Sequence, residues 1–311
     1  MIGLIDGDIV VFRCGFAAER TMWLLMWEPL CEVAPDGARS ERTEWGQTKT
    51  FEYKREATDF LNEVVPARST RVEGEDFQLV PIKDLEPLGH ALQNVKTLMS
   101  RLADDCQLNE FELRVAFSDS PTFRHRLAKT RVYKGNRNDD HRPTYENEIK
   151  EFIKSNYDSY QAKDEEADDL LGIWQTALGP HDSIIVSLDK DLNQIPGLKY
   201  NWLHGIRYDV SEAEAIKQFH LQVMTGDSTD NIPGLPGIGP GKAQKALHGL
   251  ETPEEQWAEV CRMYQIHSGK EDWKEYLTEQ GQLVWIRRKP GELWTPPEIE
   301  EDYIEQPEDL I

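Results

Sequence analysis

Short apolar runs that stop at acidic residues organise the chain. IGLID (2–6), FELRVAFSD (111–119) and SIIVSLDKD (183–191) each read as a strand ending in Asp, and LKYNWLHG (198–205) reads as a fourth. Helical periodicity runs through LGHALQNVKTLMSRLADD (88–105), and IVVFRCGFAAER is expected to follow the first strand as a helix. TKTFEYK and DFQLVPI alternate, so the stretch at about 17–90 reads as a partly β insertion. Further on the pattern turns helical. Ser211 with Glu214 fits a capping box, and Thr252-Pro253 with Glu255 marks another helix start with Pro at the first helical position. Strands separated by helices predict an α/β fold with a mainly parallel central sheet, followed by a helical C-terminal region.

In a parallel sheet the C-terminal strand ends share one edge, where open α/β folds bind ligands. Asp6, Asp119, Asp189 and Asp191 fall there. Asp8 competes with Asp6 for the first position, and Asp6 is favoured because it directly ends the apolar run. EEADD supplies Glu166, Asp168 and Asp169 at the head of the helical run LLGIWQTAL. Asp227 and Asp230, three apart, are expected on one turn of helix. Any single Asp after a strand is ordinarily a turn or cap residue, but nine carboxylates on one edge call for counter-charge. Oxygen-only ligands select hard divalent cations, Mg²⁺ or Mn²⁺, and a pair of them suits phosphodiester hydrolysis.

Charge changes the picture twice. The formal net charge is −22, from 57 Asp+Glu against 35 Lys+Arg, which by itself argues against a nucleic-acid partner. Yet FRHRLAKTRVYKGNR (123–137) holds Arg124, Arg126, Lys129, Arg131, Lys134 and Arg137 with no acid, directly after Asp119. Lys134 and Arg137 are the candidates for gripping a scissile phosphate, and Tyr133 for stacking on an unpaired base. GDSTDNIPGLPGIGPGKA (226–243) then offers Gly234, Gly237, Gly239 and Gly241 in a hairpin opening a helix, with Lys242 and Lys245 behind it. Such a turn suits phosphate-backbone contact without base reading.

The four cysteines are far apart with no CxxC pair, which argues against a zinc ribbon. No apolar run approaches a membrane span, and MIGLIDGDIVVF reads as a first strand and not a signal peptide, so a cytoplasmic location is expected. The end, from Glu298, carries seven acids and is expected to be a solvated tail.

These motifs resemble the 5′-nuclease family: flap endonucleases, the 5′-nuclease domain of bacterial DNA polymerase I, and phage replication exonucleases, the last closest in type. LIDGD is similar to the first acidic site (Asp6), FSDSPTFRHRL with YKGNR to the second (Asp119) and its Tyr-Lys-x-x-Arg element, EADD to the third, SLDKDLNQI to the fourth, and GDSTDNIPGLPGIGPGKA to the fifth plus a helix–three-turn–helix clamp. The resemblance implies a PIN-like core over about 1–210 and a DNA-binding helical region over 211–311. It implies a two-metal 5′→3′ DNA exonuclease of replication or recombination (host cytoplasm if phage-encoded), acting at duplex 5′ ends, nicks or flaps, including RNA primers on RNA–DNA hybrids, with products carrying 5′-phosphate. In some members the hairpin binds potassium. A structure-specific flap endonuclease and a non-catalytic DNA-binding scaffold are the alternatives. The chain departs from the family pattern between Arg137 and Glu166. There 28 residues, with eight acids against four Lys/Arg, are expected to form a short acidic arch at about 138–165, unsuited to threading long single strands.

Overall fold

The computed structural model describes residues 1–27, 47–64, 77–137 and 142–298. The chain forms two compact units. One comprises Met1–Arg13, Val95–Arg142 and Glu146–Ile311, the other Cys14–Asn94 with Pro143–Tyr145. Cys31 and the acidic tail after Glu298 lie outside the described residues.

The first unit is built on a six-stranded sheet. Its strands in chain order are β1 (Ile2–Asp6), β5 (Leu113–Phe117), β6 (Asp158–Gln161), β7 (Ser183–Val186), β8 (Gly197–Asn201) and β9 (Ile206–Val210), arranged β6-β5-β1-β7-β8-β9. The first five run parallel and only β9 is antiparallel to its neighbour β8. Central strands covered on both faces need continuous apolar runs, and Leu4, Ile5, Val115, Phe117 and Ile184 are fully buried. Helix α6 (Ala167–Leu178) lays Ala167 and Leu171 over Leu4, Ala116 and Ile185. Each such buried aliphatic side chain contributes roughly 1.5–3 kcal/mol.

The expected acidic arch is corrected here. Residues 146–161 are built into the fold as helix α5 (Glu146–Asn156) and the edge strand β6; residues 138–141 lie outside the described residues. α5 anchors itself through Ile149 and Ile153, both fully buried at a spacing of four.

Four helices follow: α7 (Glu212–Thr225), α8 (Pro240–Ala246), α9 (Pro253–His267) and α10 (Trp273–Val284). Ser211 and Thr252 cap α7 and α9, accepting from Glu214 N and Glu255 N at 3.2 Å each, as their capping boxes predict. Their shared core joins Val223 and Met224 of α7 to Leu235, Ile238 and Ala243 of the hairpin and α8, and to Trp257 and Tyr264 of α9.

In the second unit β2 (Glu19–Trp27) pairs antiparallel with β3 (Gln47–Phe51) and β4 (Phe77–Leu85). Helix α2 (Lys54–Val64) sets Ala57 and Leu61 against Leu25 and Trp27. The partly β reading of this region therefore matches its described residues. The helix expected over 9–20 is shorter, α1 (Gly7–Phe16), because the chain enters β2 at Glu19. Helix α3 (Leu88–Asp105) has the length its periodicity predicts. Among the described residues no helix is long and apolar enough to cross a membrane.

Candidate active site

The acids at the sheet edge are held by local hydrogen bonds. Asp6 accepts from Ile9 N and Ser187 Oγ, both at 3.2 Å. Asp189 caps the short helical turn 190–194, accepting from Asp191 N at 2.8 Å. Glu166 is the N-cap of α6. Asp227 and Asp230 are not on a helix, as their spacing suggested. They occupy a turn closed by paired backbone bonds between Asp227 and Ile232, of 2.9 and 2.7 Å. The turn still presents both side chains. Glu166, Asp168, Asp189, Asp191, Asp227 and Asp230 line one cleft of about 590 Å³ together with Lys134 and Arg137.

Like charge packed in a poorly solvated place raises carboxyl pKa values. Burial, then Asp8 and Asp189 nearby, pushes Asp6 up to about 7. Burial, then Asp189 and Asp227, pushes Asp191 up to about 7. Burial followed by Asp6 and Asp189 holds Asp168 well above its usual range. Asp189 is also raised, chiefly by burial and then by Asp227 and Asp230 against the bond from Asp191 N. Asp191 Oδ1 is buried with no hydrogen-bond partner. Asp6 is not part of the cleft wall, but its charge acts on Asp168 and that of Asp189 acts on it, and both of these line the cleft.

The cations are set among the acids. Lys134 pairs with Glu166 and lies 3.7 Å from Asp230, and Arg137 donates to Asp230. Two loops distant in sequence are stitched to bring this about. Lys134 N donates to Asp230 O at 2.9 Å, Asn136 Nδ2 to Ser228 O at 2.7 Å, and Asn231 Nδ2 to Val132 O at 2.9 Å. Lys134 takes φ +55°, a left-handed conformation unusual for a lysine, which the surrounding bonds hold in place. The amides of Asn136 and Asn231 were missed in sequence. So was the polar stripe Gln218, Gln222 and Thr225 of α7, which lines the cleft and is readable from its i, i+4, i+7 spacing.

Four expectations are corrected. Arg124 is 3% exposed and does not face solvent or DNA. It grips Asp169 with two bonds of 2.6 and 2.8 Å and donates to the carbonyls of Leu283 and Trp285. Asp169, wholly buried, also accepts from Glu166 N and Arg287 N, so it braces the site from behind and is no cleft ligand. Burial opposes its ionisation, but Arg124 outweighs this and holds its pKa low. Tyr133 is 3% exposed and cannot stack on a base. Its hydroxyl lies 2.6 Å from Asp230 and 2.9 Å from Glu166. Asp119 accepts from Ser120 N and Asp164 N in a turn outside the cleft wall.

Of the other basic residues, Arg126 is exposed and paired with Asp164 at 2.8 Å, and Lys129 and Arg131 are exposed. Glu279 accepts from Lys129 N and Thr130 N at 2.6 and 2.7 Å, which fixes the backbone of the basic stretch.

The hairpin glycines divide by role. Gly234 has φ +58°, and a Cβ there would stand 2.3 Å from Gly226 N, so this glycine serves the chain's own crossing. Gly237, Gly239 and Gly241 have open space where a Cβ would be. Lys242 Nζ donates to Gly237 O at 2.9 Å, and Lys245 is exposed on α8.

Whether these residues suit a divalent cation is decided by the donor set: oxygen only, mutually repelling, with one buried carboxylate oxygen unpartnered. That chemistry fits a hard cation. Among the described residues no three His, Cys, Asp or Glu side chains converge on a single point in this arrangement, in which Lys134 bridges Glu166 and Asp230.

No family model matches the chain. Sequence comparison finds DNA polymerase I of Rhizobium leguminosarum, 37% identical over 109 residues, covering 30% of this chain and 11% of that protein. The exodeoxyribonuclease of Enterobacteria phage T3 is 30% identical over 131 residues, covering 40% of this chain and 43% of the phage protein. The flap endonuclease Xni of Shewanella pealeana is 33% identical over 113 residues, covering 32% of this chain and 44% of its own length. The matched stretch spans less than half the length of each of these relatives. Over part of its length the chain is therefore similar to proteins named as an exodeoxyribonuclease, a flap endonuclease and a DNA polymerase I, and it carries five acidic motifs in order.

Proposed function

We propose that the chain is a divalent-metal-dependent nuclease that hydrolyses phosphodiesters at or near 5′ ends of duplex DNA, as a 5′→3′ exonuclease. The observation that carries this reading is the single cleft in which six carboxylates meet Lys134 and Arg137. A binding scaffold has no use for carboxyl groups raised to about 7 by burial and then by neighbouring acids.

Asp168, Asp189, Asp191, Asp227 and Asp230, with Glu166, would hold two Mg²⁺ or Mn²⁺ ions, with the charge of Asp6 acting on Asp168. When bound, such ions activate a water and stabilise charge on the phosphoryl oxygens. Lys134 and Arg137 stand at the rim of these acids, where they meet the non-bridging oxygens of an entering phosphodiester. Tyr133 keeps Glu166 and Asp230 at a fixed separation through its hydroxyl. Arg124 and Asp169 hold the first turn of α6, and with it Glu166 and Asp168, in place.

The division of labour follows the sequence regions. Residues 1–210 supply most of the acids. Residues 211–298 supply Asp227, Asp230 and the hairpin, whose open glycines let duplex phosphates approach the backbone near Lys242 and Lys245. Potassium would take hairpin carbonyls, and RNA–DNA hybrid ends would enter as duplex DNA does. A flap endonuclease activity is the second reading, favoured by the likeness to Xni.

The test uses three 5′-labelled DNAs, a blunt duplex, a nicked duplex and a long 5′ flap, each with Mg²⁺ and with EDTA. Short products from blunt and nicked ends are expected. One long fragment from the flap alone selects the endonuclease. Binding with no Mg²⁺-dependent product refutes a nuclease.

A further inference from the structure

Helix α7 has a second working face. Gln218, Gln222 and Thr225 face the acid cleft, whereas Ile216 and Phe219 face a separate cavity of about 570 Å³. The two sets lie roughly 120° apart around a helix of 3.6 residues per turn. Trp257, Ala258, Trp285 and Trp294 complete this second cavity. Its rings brace one another: Phe219 meets Trp285 edge-on at 4.9 Å and Trp257 meets Trp294 at 5.5 Å. Preformed aromatic walls of this kind anchor protein segments at low entropic cost.

The rim is acidic, with Glu212, Glu254 and Glu298. From Glu298 the chain continues into residues 299–311, whose sequence has six Asp/Glu and no Lys/Arg. Arg288 shows how the rim treats a cation. Its guanidinium lies 4.9 Å over the Trp285 ring while Nη1 donates to Glu212 at 2.7 Å.

We propose that this groove docks a basic segment of a partner protein. An apolar side chain of the segment enters the aromatic cavity, and flanking Lys or Arg residues meet Glu254 and Glu298. Charge complementarity selects this occupant. The chain's own tail carries the same sign as the rim, and a second copy brings another net −22. Because the groove and the cleft occupy different faces of α7, docking leaves the cleft open to its substrate.

The test is fluorescence anisotropy of the full chain with a labelled synthetic peptide, a Leu-Trp centre flanked by lysines. A control peptide replaces the centre with Gly-Ser at the same charge and is expected to bind at least about tenfold more weakly, a difference of about 1.4 kcal/mol. Ala258→Trp fills the groove without altering charge and should abolish the preference for the Leu-Trp centre. Ile216→Gln is the second variant, should the first fail to fold. The pair Glu254→Lys and Glu298→Lys should weaken binding at low salt. Equal affinity for both peptides, or binding indifferent to the groove variants, overturns the proposal. So does peptide binding that emerges only after truncation at Glu298, which makes the tail the occupant. Sedimentation as a dimer that Ala258→Trp dissociates makes it a second copy, and likewise overturns the proposal.

Discussion

Replacing Arg124 by Met separates a brace from a DNA contact. Arg124 is 3% exposed, and the Asp169 side chain is wholly buried. The substitution leaves Asp169 with two backbone donors, Glu166 N and Arg287 N at 3.0 Å each, and no counter-charge. It also strands the carbonyls of Leu283 and Trp285, which Arg124 serves at 3.0 and 2.7 Å. Breaking a buried pair from one side costs about 3–5 kcal/mol because the remaining charge stays desolvated. A loss near 4 kcal/mol is a large part of an ordinary domain's 5–15 kcal/mol. The assay is urea unfolding followed by tryptophan fluorescence, alongside duplex binding across a salt series. As a brace, the residue shifts the unfolding midpoint strongly and leaves the salt slope of whatever protein remains folded unchanged. A phosphate contact would instead reduce that slope by about 0.9 per charge lost. A stability loss below about 1 kcal/mol together with the shallower slope would refute the brace.

Asp191→Asn should abolish Mg²⁺-dependent cleavage while leaving duplex binding nearly intact, and full activity at saturating Mg²⁺ would contradict the site. The same variant should be the more stable protein in EDTA at pH 8. A carboxyl raised from 3.8 to about 7 on folding stabilises below its unfolded pKa and loses that contribution as pH rises through about 7. The advantage of Asn is therefore at most about 4 kcal/mol at pH 8 and shrinks toward pH 4, as thermal unfolding at several pH values would reveal. Gly234→Ala should destabilise the chain, since its Cβ would stand 2.3 Å from Gly226 N. Gly239→Ala and Gly241→Ala have open space, and should leave the unfolding midpoint in place while weakening duplex binding. Reversed sensitivities would dismiss the hairpin as a DNA contact. Duplex binding at constant ionic strength should strengthen at least about tenfold when Ca²⁺ replaces EDTA, because it lowers the cleft's negative surplus; equal affinities would be the contrary result.

Much of this was legible because local rules and tertiary demands coincide. A buried parallel strand needs an apolar run, and its polar exit must fall at the functional edge, so IGLID and SIIVSLDKD announce both a strand and a site. Ser211 and Thr252 announce helix starts because capping is a contact within four residues. What failed were inferences that local spacing cannot settle. An interval of three suits a turn as well as a helix, which is why Asp227 and Asp230 were misassigned. Arg124 and Tyr133 look like surface members of a basic run, and only their packing against Asp169, Glu166 and Asp230 turns them inward. The strand DSYQ has no apolar alternation and joins the sheet solely through pairing with β5.

The acidic surplus and the basic run are two aspects of one arrangement. In the cleft six carboxylates meet three cations, Lys134, Arg137 and Lys190, a surplus of three negative charges when all are ionised. Lys134 and Arg137, the side chains proposed to meet a phosphodiester, already lie on Glu166 and Asp230. A phosphate alone would have to displace a carboxylate from each of them and would leave that acid unneutralised in a poorly solvated wall. A divalent ion held by the acids would give them another partner and leave the Lys134 ammonium and Arg137 guanidinium available to phosphoryl oxygens. Metal and phosphodiester are thus expected to favour one another's binding through charge alone, with no change of fold. The net charge of −22, which by itself argues against DNA, would on the proposed function be the local condition that makes recognition of DNA depend on the metal.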